Sequence, residues 1–406
     1  MFLEIMLAIL LGLAIGLVTG LAPGIHPNTV FAILLSAPLA FAWLPAQALL
    51  AFIVSLAISN TFFDFIPSII FGAPEEESVL SVLPGHRLLL EGNGYEAVFL
   101  TVMGGLGVIL LATISLPLLF FMMPLIQIAL RPLIHIILIL AVSWMVYTEK
   151  NRLTAALIFL ASGIFGFISL SSLLSDTALF PALTGLFGIS TILTSLMSKT
   201  NIPEQQISNE IHGGWLKGSV VGLLAGLMAG FLPGLGSSQT GIIASQALKA
   251  KVKEFLIALG GISTSNVFFT FIVFYTIGKT RSGAVWAVSQ VTEKLTLTDI
   301  CLIITVGVMV SLVSAVFTLK LAKFMLLRLR HVNYMKVNMG ILLTLAALVV
   351  LLSDPTGVII SITGVFMGLL AISTGVKRTH LMGFLVLPTI LYFSGLNPAF
   401  TCLLWC

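Results

Sequence analysis

The sequence GLVTGLAPG at residues 16–24 occurs again as GLMAGFLPG at residues 226–234, 210 residues further along the chain. The glycines, one leucine and the Pro-Gly pair keep their places. A second pair, SNTFF at residues 59–63 and SNVFF at residues 265–269, follows at the nearly equal offset of 206. Two motifs in the same order at nearly equal offsets are hard to obtain by chance. We therefore predict an internal duplication.

The composition indicates a membrane protein. Of the 406 residues 58% are hydrophobic and only 8% are charged, and the mean hydropathy is +1.16. Soluble domains carry about 25% charged residues, so a soluble globule, a disordered chain and a coiled coil are excluded. Apolar runs long enough to cross a hydrocarbon core recur along the chain. We predict an all-α, polytopic integral protein of the cell membrane, surrounded by lipid.

The charged residues and the cysteines argue against two kinds of ligand, nucleic acid and metal ions. The net charge of +4 comes from Lys and Arg scattered in short loops, which is typical of topology signals and not of a nucleic-acid surface. The three cysteines have no metal-ligand spacing and form no disulfide framework. Nucleic-acid binding and a bound metal are therefore not expected.

A polar stretch at residues 199–214 separates the two copies. We predict a first membrane repeat at 1–198, a linker at 199–214 and a second membrane repeat at 215–406. Residues 1–21 lack a basic region before the apolar run, so we expect a retained membrane segment and not a cleaved signal peptide.

The loop charges suggest that the two repeats are inverted. Glu75, Glu76 and Glu77 follow the first copy of the SNxFF helix, whereas Lys279 and Arg281 follow the second. Basic loops favour the cytoplasm, so corresponding loops would face opposite sides of the membrane. An inverted-topology repeat is a common plan among transporters.

The same reasoning predicts re-entrant segments. Lys253 and Lys279 flank the apolar residues 255–278, and both are expected at the cytoplasmic side. The segment would then enter the membrane, turn at residues 261–266 and return. We expect residues 46–72 to form the mirror-image hairpin, turning near Ser59-Asn60.

The two Pro-Gly elements are candidate anion sites. A broken helix at membrane depth must line protein or a wet cavity. Each element leads into a short apolar segment that Asn28 or Thr29, and Ser237 or Ser238, can cap. Free N–H groups at a helix start attract anions. The alternative is a glycine-packed kink with capped ends. The predicted substrate-binding residues are Pro23, Gly24, His26, Asn28, Thr29, Ser59, Asn60, Pro233, Gly234, Gly236, Ser237, Ser238, Gln239, Thr240, Ser263, Thr264, Ser265 and Asn266.

Two residues are candidates for coupling transport to an ion gradient. Asp64 is the only acidic residue well inside a hydrophobic segment, and intramembrane carboxylates often mark proton or cation sites. Its second-half counterpart is Thr270, so a coupling site would be asymmetric; alternatively, Asp64 lies at a water-filled rim. His26 either senses protons beside the first break or caps it. We expect H⁺ or Na⁺ as the coupling ion and no other cofactor.

The sequence contains no signature of catalysis. A Gly-rich phosphate loop, a nucleophile elbow, an HExxH motif and paired His/Cys spacings are all missing from it. We therefore predict no catalytic residues and no enzymatic activity.

The two Pro-Gly motifs carry a family resemblance. Residues 16–24 resemble the opening motif of the large permease of tripartite tricarboxylate transporters, the TctA family, and residues 226–236 are similar to its second copy. Residues 72–74 resemble the family's Gly-x-Pro loop, and residues 92–97 its Gly-x-x-x-Glu-Ala signature. The length resembles the shorter, archaeal-type branch. His26-Pro27 departs from the family pattern, as do Glu75 to Glu77.

The resemblance implies a secondary transporter for small organic anions of the di- or tricarboxylate type. It also implies a small membrane subunit and a periplasmic solute-binding protein as possible partners. An alternative is a carrier, or flippase, for a polyprenyl-phosphate lipid, because re-entrant Pro-Gly repeats also suit a lipid phosphate. A minor alternative is an intramembrane lipid-pyrophosphate phosphatase, which would need an Arg close to Ser237-Ser238, where Gln239 stands instead.

Overall fold

In the computed structural model, the described residues contain helices and irregular segments, and no strand occurs in them. The prediction of an all-α protein is confirmed. The residues that the structure describes are 2–22, 27, 30–31, 45–71, 82–171, 175–197, 203–207, 214–231, 236–237, 240–241, 243–244, 248, 251–329 and 334–396.

The helices of the described ranges are numbered in chain order. They are α1 Phe2–Leu21, α2 Ala46–Phe63, α3 Phe65–Phe71, α4 Val82–Leu90, α5 Gly94–Leu130, α6 Ile134–Tyr147, α7 Arg152–Ser171, α8 Ser175–Leu183, α9 Ser190–Met197, α10 Trp215–Phe231, α11 Val252–Ile277, α12 Gly283–Ser289, α13 Leu297–Leu329, α14 Tyr334–Leu352, α15 Pro355–Ser373 and α16 Gly383–Phe393. Short 3₁₀ turns lie at Arg131–Leu133 and Arg378–Met382, and a π-helix lies at Thr184–Ile189.

Seven helical segments of the described chain are long and apolar enough to cross a membrane. The protein is therefore a multi-pass membrane protein. The seven segments are Phe2–Leu21, Ala46–Phe71, Gly94–Ile126, Arg152–Leu170, Val252–Ile277, Leu297–Arg328 and Pro355–Ser373.

The first helix of each predicted repeat leads to its Pro-Gly element. Helix α1 ends at Leu21, two residues before Pro23, and the described part of α10 reaches Phe231, two residues before Pro233. Proline disfavours helical geometry in the residue before it and has no N–H to donate. The two Pro-Gly pairs themselves lie outside the described residues, so the geometry of the predicted breaks stays a prediction.

The predicted re-entrant turn at residues 261–266 is wrong. Helix α11 runs without interruption from Val252 to Ile277. The polar residues at its centre fit a helix because their hydroxyls bond to carbonyls one turn back: Thr264 Oγ1 donates to Gly260 O at 3.1 Å and Ser265 Oγ to Gly261 O at 2.7 Å. Lys253, whose charge suggested the hairpin, is ion-paired with Glu96. The inverted relation of the repeats stays a prediction.

The predicted mirror hairpin near Ser59-Asn60 is also wrong, because α2 runs through both residues to Phe63. The segment departs from a regular helix only at Asp64, between α2 and α3, where the backbone keeps helical angles and the N–H bonds to Asn60 O at 3.0 Å. Pro67 explains the position of this departure. A proline in a helix cannot donate to the carbonyl four residues earlier and its ring crowds that carbonyl, here that of Phe63. The corresponding residue of the second copy is Val273, and α11 is unbroken there.

The chain forms two compact units that do not coincide with the predicted repeats. One contains residues 1–125 and 201–334, and the other contains residues 126–200 and 335–406. Each unit thus takes residues from both halves of the sequence. A repeat and a compact unit need not share boundaries, so the division into 1–198 and 215–406 stays a prediction.

Within the first unit, two helix pairs pack in the same way. Helix α1 packs on α2, and α10 packs on α11. A side chain at Gly16 would overlap the Ser59 hydroxyl, and one at Gly226 would overlap the Ser265 hydroxyl. Gly226 lies 210 residues after Gly16, and Ser265 lies 206 residues after Ser59, which are the offsets of the two repeated motifs. The glycines therefore allow close helix contact, as the Gly-x-x-x-Gly spacing predicts.

The remaining contacts place α2 and α11 inside the first unit. Helix α13 packs against α2, and α2 also contacts α11. Both helices are almost entirely buried. In the second unit, α7 packs on α16, and α15 packs on the π-helix at Thr184–Ile189.

Candidate functional site

The structure describes half of the predicted substrate-binding residues. Nine predicted residues lie outside the described part of the chain: Pro23, Gly24, His26, Asn28, Thr29, Pro233, Gly234, Ser238 and Gln239. The nine that can be located are Ser59, Asn60, Gly236, Ser237, Thr240, Ser263, Thr264, Ser265 and Asn266.

The two repeated asparagines occupy equivalent places in α2 and α11. Asn60 Nδ2 donates to Thr19 Oγ1 of α1 at 3.1 Å, and Asn266 Nδ2 donates to Ser237 Oγ at 3.2 Å. Thr19 lies four residues before the first Pro-Gly pair, and Ser237 lies three residues after the second pair. Each asparagine therefore links the middle of a buried helix to residues that adjoin a Pro-Gly element.

A hydroxyl pair brings the two copies together. Thr61 Oγ1 and Thr264 Oγ1 lie 3.1 Å apart and connect α2 to α11. Thr61 is next to Asn60 in the chain, and Thr264 is two residues from Asn266. The polar centres of the two helices thus meet inside the first unit.

Not every predicted residue faces such a centre. Ser59 Oγ donates to Leu56 O at 3.2 Å, and Ser265 Oγ donates to the carbonyl of Gly222 on the neighbouring helix, also at 3.2 Å. Thr240 Oγ1 donates to Gly236 O at 3.2 Å. These hydroxyls stabilise helix packing and a local turn, so geometry favours the two asparagines and Ser237 over them as ligands.

The two asparagines differ in how much of each side chain is exposed. Asn60 is 4% exposed, whereas Asn266 is the only residue of the 263–266 run that is not fully buried. An amide can donate to an anion without carrying charge. Asn266 is therefore the described group best placed to meet a ligand beside Ser237.

Asp64 is the single residue between α2 and α3, and 1% of its surface is exposed. A carboxylate at such a position is costly in a membrane and typical of proton or cation pathways. No group of three or more His, Cys, Asp or Glu side chains that could hold a metal ion occurs in the described ranges.

The second unit holds a partly buried arginine that sequence reasoning missed. Arg378 Nη2 donates to Phe187 O at 2.8 Å, to Ser190 Oγ at 3.0 Å and to Leu186 O at 3.2 Å. Its Nη1 donates to Thr191 Oγ1. The guanidinium thus caps carbonyls at the end of the π-helix. Burial lowers the pKa of Arg378 to about 10, so the group stays charged at neutral pH.

A second buried polar cluster lies beside it. His380 is fully buried, and its Nε2 lies 3.3 Å from Glu149 Oε2; Lys377 Nζ lies 3.6 Å from the same oxygen. Burial lowers the pKa of His380, against the opposing effect of Glu149. Burial raises the pKa of Glu149, but the Lys150 backbone N–H, Lys377 and His380 outweigh it and keep that pKa low.

The sequence does hold a signal for both clusters. The run Lys377-Arg378-Thr379-His380 lies between two apolar segments, and Glu149 lies in a short polar loop. Loop charges near helix ends are normally solvated topology signals, so the burial of His380 and the partial burial of Arg378 could not be predicted from composition.

Comparison with known proteins decides the family. The profile of the tripartite tricarboxylate transporter TctA family matches residues 6–383, which is nearly the whole chain. The chain belongs to the TctA family. The resemblance of the two Pro-Gly motifs is thereby confirmed, and so is a role in membrane transport.

One relative of this TctA-family chain covers most of its length. An uncharacterized protein of Methanocaldococcus jannaschii is 32% identical in an alignment of 388 positions that covers 91% of this chain and 94% of that protein. No solved structure matches.

Proposed function

We propose that the protein is a secondary transporter that carries a small organic anion of the di- or tricarboxylate type across the cell membrane and is not an enzyme. Membership of a transporter family supports transport. The observation that carries the site is that the two equivalent asparagines each donate to a hydroxyl near a Pro-Gly element, Asn60 to Thr19 and Asn266 to Ser237. Thr61 and Thr264 join the two helices that carry them.

The chemistry of this region suits an anion held without a salt bridge. In the described residues, the groups bonded to Asn60 and Asn266 are hydroxyls, and the helix that follows each Pro-Gly element would add free backbone N–H groups. A site of neutral donors binds an anion without leaving a buried cation unpaired when the ligand departs. Such reversibility is needed in a carrier.

We further propose that transport is driven by an H⁺ or Na⁺ gradient, with Asp64 as a coupling residue and His26 as a second candidate. In complete systems of this kind we expect a small membrane subunit and a solute-binding protein to assist.

The test is uptake by the purified protein in liposomes. We expect saturable uptake of a labelled di- or tricarboxylate that collapses when the ion gradient is dissipated. Asn266→Ala and Ser237→Ala should each reduce uptake, because each removes one partner of the 3.2 Å contact beside the second Pro-Gly element. Gln290→Ala, at an exposed amide just after α12, is the matched control and should transport normally.

Two other outcomes would change the assignment. If the protein takes up none of a panel of carboxylates but binds a polyprenyl phosphate, this result would support the lipid carrier. Release of phosphate from a lipid pyrophosphate would support the enzyme. Normal uptake by both Asn266→Ala and Ser237→Ala would remove these residues from the site.

A further inference from the structure

The last third of helix α13 presents a basic surface that no carboxylate of the described residues neutralises. Lys320, Lys323 and Arg328 are all exposed, and none of the three is ion-paired within the part of the chain that the structure describes. The sequence around them is equally one-sided, because it holds five Lys and Arg residues and no acidic residue between Asp299 and Asp354. This surface therefore suits a negatively charged partner from outside the chain.

The uncharged part of α13 has the length of a hydrocarbon core. Residues 300–319 contain no charged side chain; Asp299 precedes them and Lys320 follows. As a helix these residues span about 30 Å, which is about the thickness of the core. Helix α13 continues to Leu329, so its last residues, from Lys320 on, extend about 15 Å past the core into the head-group layer.

A contact inside the first unit gives the same depth. Leu326 of α13 is buried beside Gly94, the first residue of α5, where an added Cβ would lie 3.4 Å from Leu326 Cδ2. The N–H of Gly94 donates to Gln205 Oε1, in the polar stretch between the predicted repeats, at 2.9 Å. Irregular polar backbone of this kind belongs outside the hydrocarbon core. The end of α13 therefore lies level with the polar start of α5.

The lysines at the neighbouring helix starts do have carboxylate partners. Lys253, near the start of α11, pairs with Glu96 of α5. Lys217 of α10 and Lys251 both pair with Glu254 of α11. Basic residues favour the cytoplasmic side of a membrane, and the lipid surface on that side is negatively charged. We therefore expect this end of the first unit to face an anionic leaflet, which the cations of α13 can contact.

Apolar side chains lie among these cations on the same face of the helix. Phe324 and Leu327 are 52% and 54% exposed, and the guanidinium carbon of Arg328 lies 4.3 Å from the centroid of the Phe324 ring. Positions four, seven and eight residues after Lys320 share its side of the helix. Aromatic rings rest at the head-group level of a membrane, and long basic side chains reach its phosphates. A phospholipid offers both contacts, because its acyl chains meet the apolar groups and its phosphate meets the cations.

We propose that the surface formed by Lys320, Lys323, Phe324, Leu327 and Arg328 binds the head groups of anionic phospholipids. This inference goes beyond the proposed function and does not rest on the identity of the substrate. A zwitterionic head group satisfies the surface less well, because its own positive charge is repelled by the three cations. Bound anionic lipid would hold α13, which packs on the buried helix α2, at a fixed depth in the membrane.

The test is native mass spectrometry of the purified protein in detergent, titrated with phosphatidylglycerol and, separately, with phosphatidylcholine. We expect the protein to bind phosphatidylglycerol more tightly. Lys320→Gln/Lys323→Gln should raise the half-saturating phosphatidylglycerol concentration about 25-fold, since each basic residue near an anionic surface contributes about fivefold. Lys279→Gln/Lys294→Gln is the matched control, because it removes the same charge from exposed residues at the opposite ends of α11 and α13. This control should bind lipid like the natural protein. A monodisperse elution profile shows that each variant is folded.

The results separate this surface from the function proposed above. Weaker phosphatidylglycerol binding by Lys320→Gln/Lys323→Gln alone would support the lipid surface, even if the protein took up no carboxylate. Equal phosphatidylglycerol affinity of the two double variants, or equal affinity of the natural protein for both lipids, would overturn it. Unchanged lipid binding by Lys320→Gln/Lys323→Gln, together with loss of a polypeptide that copurifies with the natural protein, would also overturn it and assign the surface to a protein partner.

Discussion

The hydroxyl oxygens of Thr61 and Thr264 lie 3.1 Å apart, although 203 residues separate them in the chain. Each hydroxyl also lies within hydrogen-bonding distance of a carbonyl of its own helix, Thr61 with Ile58 O at 2.8 Å and Thr264 with Gly260 O at 3.1 Å. Only one of the pair can donate across the interface at a time. The contact fixes the register between α2 and α11, and with it the positions of Asn60 and Asn266.

If this contact sets the register, Thr61 and Thr264 should be energetically coupled. We expect Thr61→Val and Thr264→Val each to lower the free energy of unfolding, and the double variant to lose less than the sum by about 0.5–1.5 kcal/mol, the range of interhelical hydrogen bonds in membranes. Unfolding in mixed detergent micelles measures the three values. Strict additivity would show that the two hydroxyls do not interact.

The glycines that face Ser59 and Ser265 should tolerate no side chain. Gly226→Ala places a methyl group on the Ser265 hydroxyl, so we expect α10 to move away from α11 and the unfolding temperature to fall, at a cost of about 1–3 kcal/mol. Gly340→Ala is the control, because nothing lies within 4 Å of its added methyl group. This control should be neutral or slightly stabilising, since alanine favours helices. An equal effect of both changes would contradict the close contact.

Repetition within the sequence agrees with the matched helix pairs, because the repeated glycines face the repeated serines in both. It did not predict that α11 is one continuous helix. Polar residues such as Ser263 to Asn266 read as a turn in a hydropathy pattern, yet hydroxyls can bond to their own helix and stay buried. Charge was a second source of error, because Lys253 is paired with Glu96 and does not simply mark a side of the membrane.

Pro67 is a sequence signal for the irregularity of the first copy. It accounts for the departure from a regular helix at Asp64 and has no counterpart in the second copy. The partial burial of Arg378 depends on which helices pack together. One sequence without that knowledge does not determine such contacts.

Arg378 should be needed for its geometry and not only for its charge. Its planar fork donates to two carbonyls and two hydroxyls around the end of the π-helix, which one lysine ammonium cannot match. We expect Arg378→Lys to lower the free energy of unfolding by about 2 kcal/mol or more. Arg87→Lys is the control, because Arg87 is exposed and pairs with Glu91 on the surface. Thermal unfolding in detergent compares them, and equal stability of the two variants would refute the role of the fork.

The buried histidine beside Arg378 should make the protein sensitive to acid. Burial lowers the pKa of His380 below its ordinary value of 6.5, so the unfolded chain takes up a proton at a pH where the folded chain does not. The stabilisation is therefore complete above about pH 6.5 and is lost as the pH falls through the lowered pKa. The pKa of Glu149 is also lowered, from 4.5, so its contribution is lost only in stronger acid.

Because His380 and Glu149 lose their contributions in different pH ranges, the effect of His380 can be tested alone. We expect the unfolding temperature of the natural protein to fall between about pH 6.5 and pH 5, and His380→Gln to flatten this fall, because glutamine can bond to Glu149 without titrating. Burial also lowers the pKa of His86, so His86→Gln serves as the control and His86→Gln/His380→Gln accounts for any remaining slope. An undiminished slope in His380→Gln, with a flat profile in His86→Gln, would assign the acid sensitivity to His86 and refute the role of His380.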